Sequence, residues 1–91
     1  MKRLVVLGGG ESGVGAAVLA KVKGMDVFLS DMGMISEKYK SILNQHEISW
    51  EEGQHTQELI LNADEVVKSP GIPPTTPLMQ KIIELGIPVI S

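Results

Sequence analysis

Ninety-one residues suffice for one small domain and no more. A content of 43 % hydrophobic and 21 % charged residues is ordinary for a globular protein, and with only Phe28, Tyr39 and Trp50 as aromatics the core must be aliphatic. A net charge of −3, with no basic run longer than Lys2-Arg3, excludes a nucleic-acid surface built on counterion release, and zero cysteines exclude disulfides and thiolate metal sites.

The run Leu4 to Leu7 is too short for a secretory core, and no stretch approaches the ~20 apolar residues of a membrane span, so no membrane partner and a cytoplasmic location are expected. His46 and His55 lie in polar segments without metal-ligand spacing and read as surface residues.

Leu4-Val5-Val6-Leu7 reads as a first strand, apolar on both faces as a central parallel strand must be. After the glycine-rich break Gly8 to Gly13, a helix is predicted from Gly13 to Lys23, burying Val14, Ala17, Val18, Ala20 and Val22 and closing on a left-handed Gly24. Val27-Phe28-Leu29 forms a second strand ended by Ser30-Asp31. Met32-Gly33-Met34 is a loop, and Ser36 caps a helix to Gln45 that turns Tyr39, Ile42 and Leu43 to one face.

Ile48-Ser49-Trp50 reads as a third strand, polar enough for an edge, before a short helix over Thr56 to Leu61 with Thr56 as its cap. Glu65 to Lys68 is the fourth strand, followed by the stiff loop Ser69-Pro70-Gly71-Ile72-Pro73-Pro74. Thr76 caps a last helix with Pro77 at its first position and Gly86 as its stop. Ile87 to Ile90 is an edge strand containing Pro88, and the chain ends directly after it, which is expected of a piece of a longer protein. The alternation specifies an α/β fold, a Rossmann-like doubly wound parallel sheet of order 3-2-1-4-5, with a crevice above the first and fourth strands.

Gly8-Gly9-Gly10-Glu11-Ser12-Gly13 fits G-x-G-x-x-G between a strand and a helix. Gly8 permits the tight turn, Gly10 admits a phosphate to the backbone, and Gly13 lets the helix approach the strand. The phosphate would meet the unpaired N–H groups of the helix N-terminus, with the Ser12 hydroxyl beside them. Gly15 is assigned a packing role. Asp31 stands where an acid meets ribose hydroxyls, or alternatively caps its own loop. Across the crevice, Ser69 and Gly71 offer a hydroxyl and an N–H. Met32 and Met34 flank a pocket or fill gaps, and Glu37, Glu51, Glu52, Asp64 and Glu65 read as solvated charges. There is no G-x-x-x-x-G-K-[ST] loop and no nucleophile–base set, so the chain offers a binding site without a catalytic one.

Val5 to Gly13, Ser30-Asp31 and above all Lys68-Ser69-Pro70-Gly71-Ile72 resemble the N-terminal domain of the Mur ligases, and among them the D-glutamate-adding branch. The resemblance runs through essentially the whole chain. It implies a three-domain cytoplasmic ligase whose central ATPase and C-terminal domains lie outside this chain. That ligase uses ATP and Mg²⁺ to join D-glutamate to a UDP-linked muramoyl-L-alanine through an acyl-phosphate. On that resemblance Glu11, Ser12 and Gly13 line the diphosphate, Asp31, Met32 and Gly33 edge the uracil, and Ser69, Pro70 and Gly71 close the other side. Two positions depart from the family pattern: Glu11 is acidic where an apolar residue is commoner, and Gly33 lacks a longer side chain over the base. The glycines and Asp31 taken alone fit an NAD-binding oxidoreductase domain equally, and a regulatory nucleotide-sensing module shares the same fold.

Overall fold

The computed structural model describes residues 1–91. Nine elements alternate along the chain: β1 (Arg3–Leu7), α1 (Glu11–Val22), β2 (Asp26–Asp31), α2 (Glu37–Gln45), β3 (Ser49–Glu52), α3 (Gln57–Ile60), β4 (Glu65–Lys68), α4 (Pro77–Glu84) and β5 (Val89–Ile90). The strands form one parallel sheet in the expected order, β3-β2-β1-β4-β5.

Side chains alternate across a strand, so the apolar run of β1 divides itself between two cores. Leu4 and Val6 pack with Val14, Ala17 and Ala20 of α1 and Leu43 of α2. Val5 and Leu7 pack on the opposite face with Ile60 of α3 and Met79 and Ile82 of α4. Leu7 is level with Ser30 of β2 on one side and Lys68 of β4 on the other. The loops that leave these three strands therefore emerge together at one edge of the sheet.

The other edge is tied down by Arg3. Its backbone N–H donates to the Asp64 carboxylate at 2.8 Å, and its guanidinium reaches Asp26 at 2.8 Å, Asn62 at 2.9 Å and the Leu59 carbonyl. One side chain thus holds the starts of β1 and β2 and the turn before β4. No helix is long and apolar enough to cross a membrane.

Several boundaries and environments differ from the sequence reading. The first helix begins at Glu11, and Val22 is 72 % exposed because α1 has turned it past the sheet by its last residue. A Cβ at Gly15 would touch nothing, so that glycine has no packing role. β3 covers Ser49 to Glu52, later than expected, and β5 only Val89 and Ile90. Ser36 and Thr76 cap their helices as anticipated, accepting from Tyr39 N–H and Met79 N–H at 3.3 Å. Thr56 stands at the N-cap of α3 but makes no side-chain capping bond, since its hydroxyl and its N–H both donate to Glu51.

Glu51 and Glu52 are accordingly not solvated loop charges. Glu52 accepts from Ile35 N–H and from Lys40, each at 2.9 Å, binding β3 to the loop before α2.

Candidate functional site

The sequence Leu7-Gly8-Gly9-Gly10 ends β1 in a turn that only glycine accommodates in part. Gly8 has φ +113°, a conformation that L side chains rarely adopt, and a Cβ there would lie 2.8 Å from Ser69 Cβ. Its bareness lets the loop after β4 come against the loop after β1. Gly9 is buried, and a Cβ on it would meet Ile35 Cγ1 at 2.8 Å. Gly13 sits so close to β1 that a Cβ would run into the Gly8 carbonyl oxygen and press on Val6.

Gly10 is the N-cap of α1 and supplies no capping side chain, which leaves first-turn N–H groups directed outward with the positive end of the helix dipole. They face a cleft of about 580 Å³ lined by Gly8, Gly10, Glu11, Ser12 and Gly13 on one side and Lys68, Ser69 and Pro70 on the other. This is the switch point of the sheet, where successive strands of the chain are added first on one side of β1 and then on the other. Nothing in the lining is an aromatic or apolar platform beyond Val6, Leu7 and Val67, so the cleft suits a hydrated, charged group.

Asp31 is not in that cleft wall, yet it shapes it. One carboxylate oxygen accepts from Gly9 N–H at 2.7 Å and the other from Gly33 N–H at 2.8 Å. The carboxylate is a clasp between the glycine turn and the loop after β2. The loop-capping alternative is therefore realised and extended to the glycine turn, and a ribose hydroxyl would have to use the lone pairs that remain.

Seven of the anticipated residues meet in the cleft: Gly8, Gly10, Glu11, Ser12, Gly13, Ser69 and Pro70. Gly71 does not line it, and its N–H is turned toward Ser69 Oγ at 3.4 Å. Gly33 is held by Asp31, and Met32, 59 % exposed, lines a separate recess beyond the end of β2.

Lys68 was not among the anticipated residues. It ends β4 at the cleft as the one cationic residue of the lining, and its ammonium donates to the Ile72 carbonyl at 3.0 Å. A lysine closing an apolar strand beside a glycine turn was the available signal.

His55 is half-buried rather than a free surface residue. Ser30, fully buried, brings its Oγ within 2.7 Å of His55 Nδ1, 2.8 Å of Glu51 Oε2 and 3.1 Å of the Gln54 carbonyl oxygen. Burial pushes the Glu51 carboxyl up, but the Thr56 N–H, the Thr56 hydroxyl and the Ser30 hydroxyl together hold it below its ordinary value. Burial also lowers the His55 imidazolium pKa, against the attraction of Glu51 and Asp31, so the ring is neutral at pH 7. No three His, Asp or Glu side chains converge to hold a metal ion.

A family model described as the MurD N-terminal domain matches residues 3–78. The chain is 66 % identical over 91 residues to the UDP-N-acetylmuramoylalanine–D-glutamate ligase of Bacteroides thetaiotaomicron, covering all of this chain and 20 % of that protein. Among solved structures, a pseudomurein peptide ligase type C from Methanothermus fervidus superimposes with a TM-score of 0.82 at 28 % identity, over all of this chain and 19 % of that one. The UDP-N-acetylmuramate:L-alanyl-gamma-D-glutamyl-meso-diaminopimelate ligase of Neisseria meningitides gives 0.81 at 27 %, over 28 % of its length. The chain thus spans about a fifth of the length of that Bacteroides ligase.

Proposed function

We propose, from the premise that the chain belongs to the MurD N-terminal domain family, that it binds the uridine diphosphate handle of a UDP-linked muramoyl-L-alanine. The observation that carries this reading is the uncapped N-terminus of α1 facing Lys68 and Ser69 across the switch-point cleft. Backbone N–H groups of the α1 N-terminus open onto a volume suited to a diphosphate, with Lys68 as the one cationic residue of its lining, in a chain whose net charge is −3.

In the parent ligase this domain would present the substrate to ATP-dependent addition of D-glutamate, a step in peptidoglycan synthesis. The residues of this chain do not fit ATP or Mg²⁺. They include no phosphate loop ending in Lys-Ser or Lys-Thr and no converging carboxylates. Those groups would be held by the central and C-terminal domains, and the contribution of this chain is binding and orientation.

The chain titrated with UDP and, separately, NADH discriminates the readings. UDP should bind weakly, at roughly 0.1 to several millimolar, because one domain alone offsets little of the ordering cost. Backbone amide shifts should cluster at Gly8 to Gly13 and Lys68 to Pro70. Larger shifts with NADH than with UDP would turn the assignment to an oxidoreductase domain.

A further inference from the structure

The two helices that cover one face of the sheet leave apolar surface of their own uncovered. β1, β2 and β3 are parallel, and α1 and α2 are the crossovers between them, packed on the same core. Both helices therefore run back against the strands, side by side, with their N-termini at the same edge of the sheet. α1 buries Val14, Ala17 and Ala20 beneath it. Its outward side is apolar as well. Gly15, Val18, Leu19 and Val22 recur at the three- and four-residue spacing that makes one continuous stripe, and Leu19 is 58 % exposed.

With Tyr39 and Ile42 of α2, this stripe lines a groove of about 570 Å³. A helix face turned to water is ordinarily polar, and a contiguous apolar one marks a surface that another protein covers. Gly15 sits in the middle of the stripe. A glycine inside a helix lowers its stability relative to alanine, and nothing within the chain packs into the space it leaves.

The charges at one end of the groove select the occupant. Glu11 stands on the α1 wall and Lys38 on the α2 wall, each in the first turn of its helix, exposed and outside every ion pair of the chain. One charge of each sign leaves no net attraction for a charged polymer or lipid surface. An acid on one wall and a base on the other is instead complementary to itself. A two-fold axis along the groove carries α1 of one copy over α2 of the other, so that Glu11 meets Lys38 twice. Gly15 and Ile42 each follow these charges by about one helical turn, so Ile42 of the second copy comes over the space at Gly15.

We infer that this groove is a self-association surface, closed by a second copy of the chain in a two-fold pair. The apolar stripe of α1 packs on Tyr39 and Ile42 of the other copy, and two Glu11–Lys38 ion pairs fix the register. The inference does not depend on the diphosphate reading.

Sedimentation equilibrium on the chain from roughly 20 µM to 2 mM, the range of a weak pair, tests it. The apparent mass should climb from 9.8 kDa toward twice that value. Leu19→Asp, at an exposed position, should hold it at the monomer value throughout. Glu11→Lys and Lys38→Glu should each weaken the pair about tenfold, because each brings like charges together at both contacts. Mixed in equal amounts, these two variants should pair again, since a lysine then meets a glutamate at both. Isotope-filtered NOEs between ¹³C-labelled and unlabelled wild-type chains need no substitution, and should join Leu19 of one copy to Tyr39 or Ile42 of the other.

A chain that stays monomeric to the top of that range overturns the inference and leaves the groove to a segment of a longer protein. Association that survives Leu19→Asp overturns it too, as do charge variants that pair no better mixed than alone.

Discussion

Asp31 is the residue whose role changed most between pattern and structure. Its position suggested a ribose contact, but its two oxygens hold the N–H groups of Gly9 and Gly33. Asp31→Ala should therefore weaken pyrophosphate as well as UDP, by about tenfold, since losing bonds to a charged acceptor costs ~1.5–3 kcal/mol and frees the turn. Isothermal titration with both ligands checks this, and unchanged pyrophosphate affinity would show that the turn holds without its clasp. Gly13 is the residue with least room. Even Gly13→Ala places a methyl on the Gly8 carbonyl oxygen, so the helix must retreat. Overpacking of that kind costs ~1–3 kcal/mol, and the melting temperature should fall by about 4–8 °C for each of those. An unaltered thermal transition would mean that α1 can move away freely. Glu11 opens α1 with an exposed carboxylate, stabilised by the helix dipole and free to swing from a bound anion. Glu11→Gln should change UDP affinity less than about threefold, the screening of an exposed charge keeping the effect small. A tenfold tightening, read in the same titration, would place the carboxylate against the phosphates.

At the level of the elements, β3 and its loops hold the groups that respond to pH. The His55 pKa lies below its ordinary 6.5 through burial, so the unfolded chain takes up that proton first, and stability declines as pH falls through 6.5. Glu51 and Glu52 lie below the ordinary carboxyl value of 4.5. The former is buried but outweighed by Thr56 and Ser30, and the latter is bonded by Ile35 N–H and Lys40. Their contribution is complete above 4.5 and disappears as pH falls through the folded values. Lys40, raised by Glu52 and Glu37, contributes fully at neutral pH and loses its share only as pH climbs past its elevated folded value. Urea midpoints measured from pH 7.5 to 3 should fall in two stages, and His55→Gln should remove the upper one alone. A single stage in the wild-type chain would contradict the burial of His55. The same strand shows where the sequence stops being readable. Helix caps such as Ser36 and Thr76-Pro77, and the glycine turn, follow from local chemistry and were legible. β3 is Ser-Trp-Glu-Glu, polar by composition, and its glutamates become structural only because Ser30, Ile35 and Thr56 arrive from elsewhere in the chain. The glycine-turn side of the candidate cleft was visible for the same local reason. The Ser30–His55 contact, spanning 25 residues, was not.

For the molecule as a whole, the parallel sheet works as a partition. Val5 and Val6 are consecutive in sequence, each fully buried, and belong to different cores. Val5 instead shares its face with Val66, level with it on the neighbouring strand. In double-mutant cycles, Val5→Ala and Val6→Ala should add to within about 0.5 kcal/mol, whereas Val5→Ala and Val66→Ala should couple by ~0.5–3 kcal/mol through a shared cavity. Strong coupling of the first pair would mean that strain crosses the strand itself. The partition has a further consequence for how such a chain can change over generations. Residues one bond apart answer to separate constraints, while residues sixty positions apart answer to the same one. A compensating substitution for a damaged Val5 should therefore be sought at Val66, Ile60 or Ile82, and never at the residue beside it.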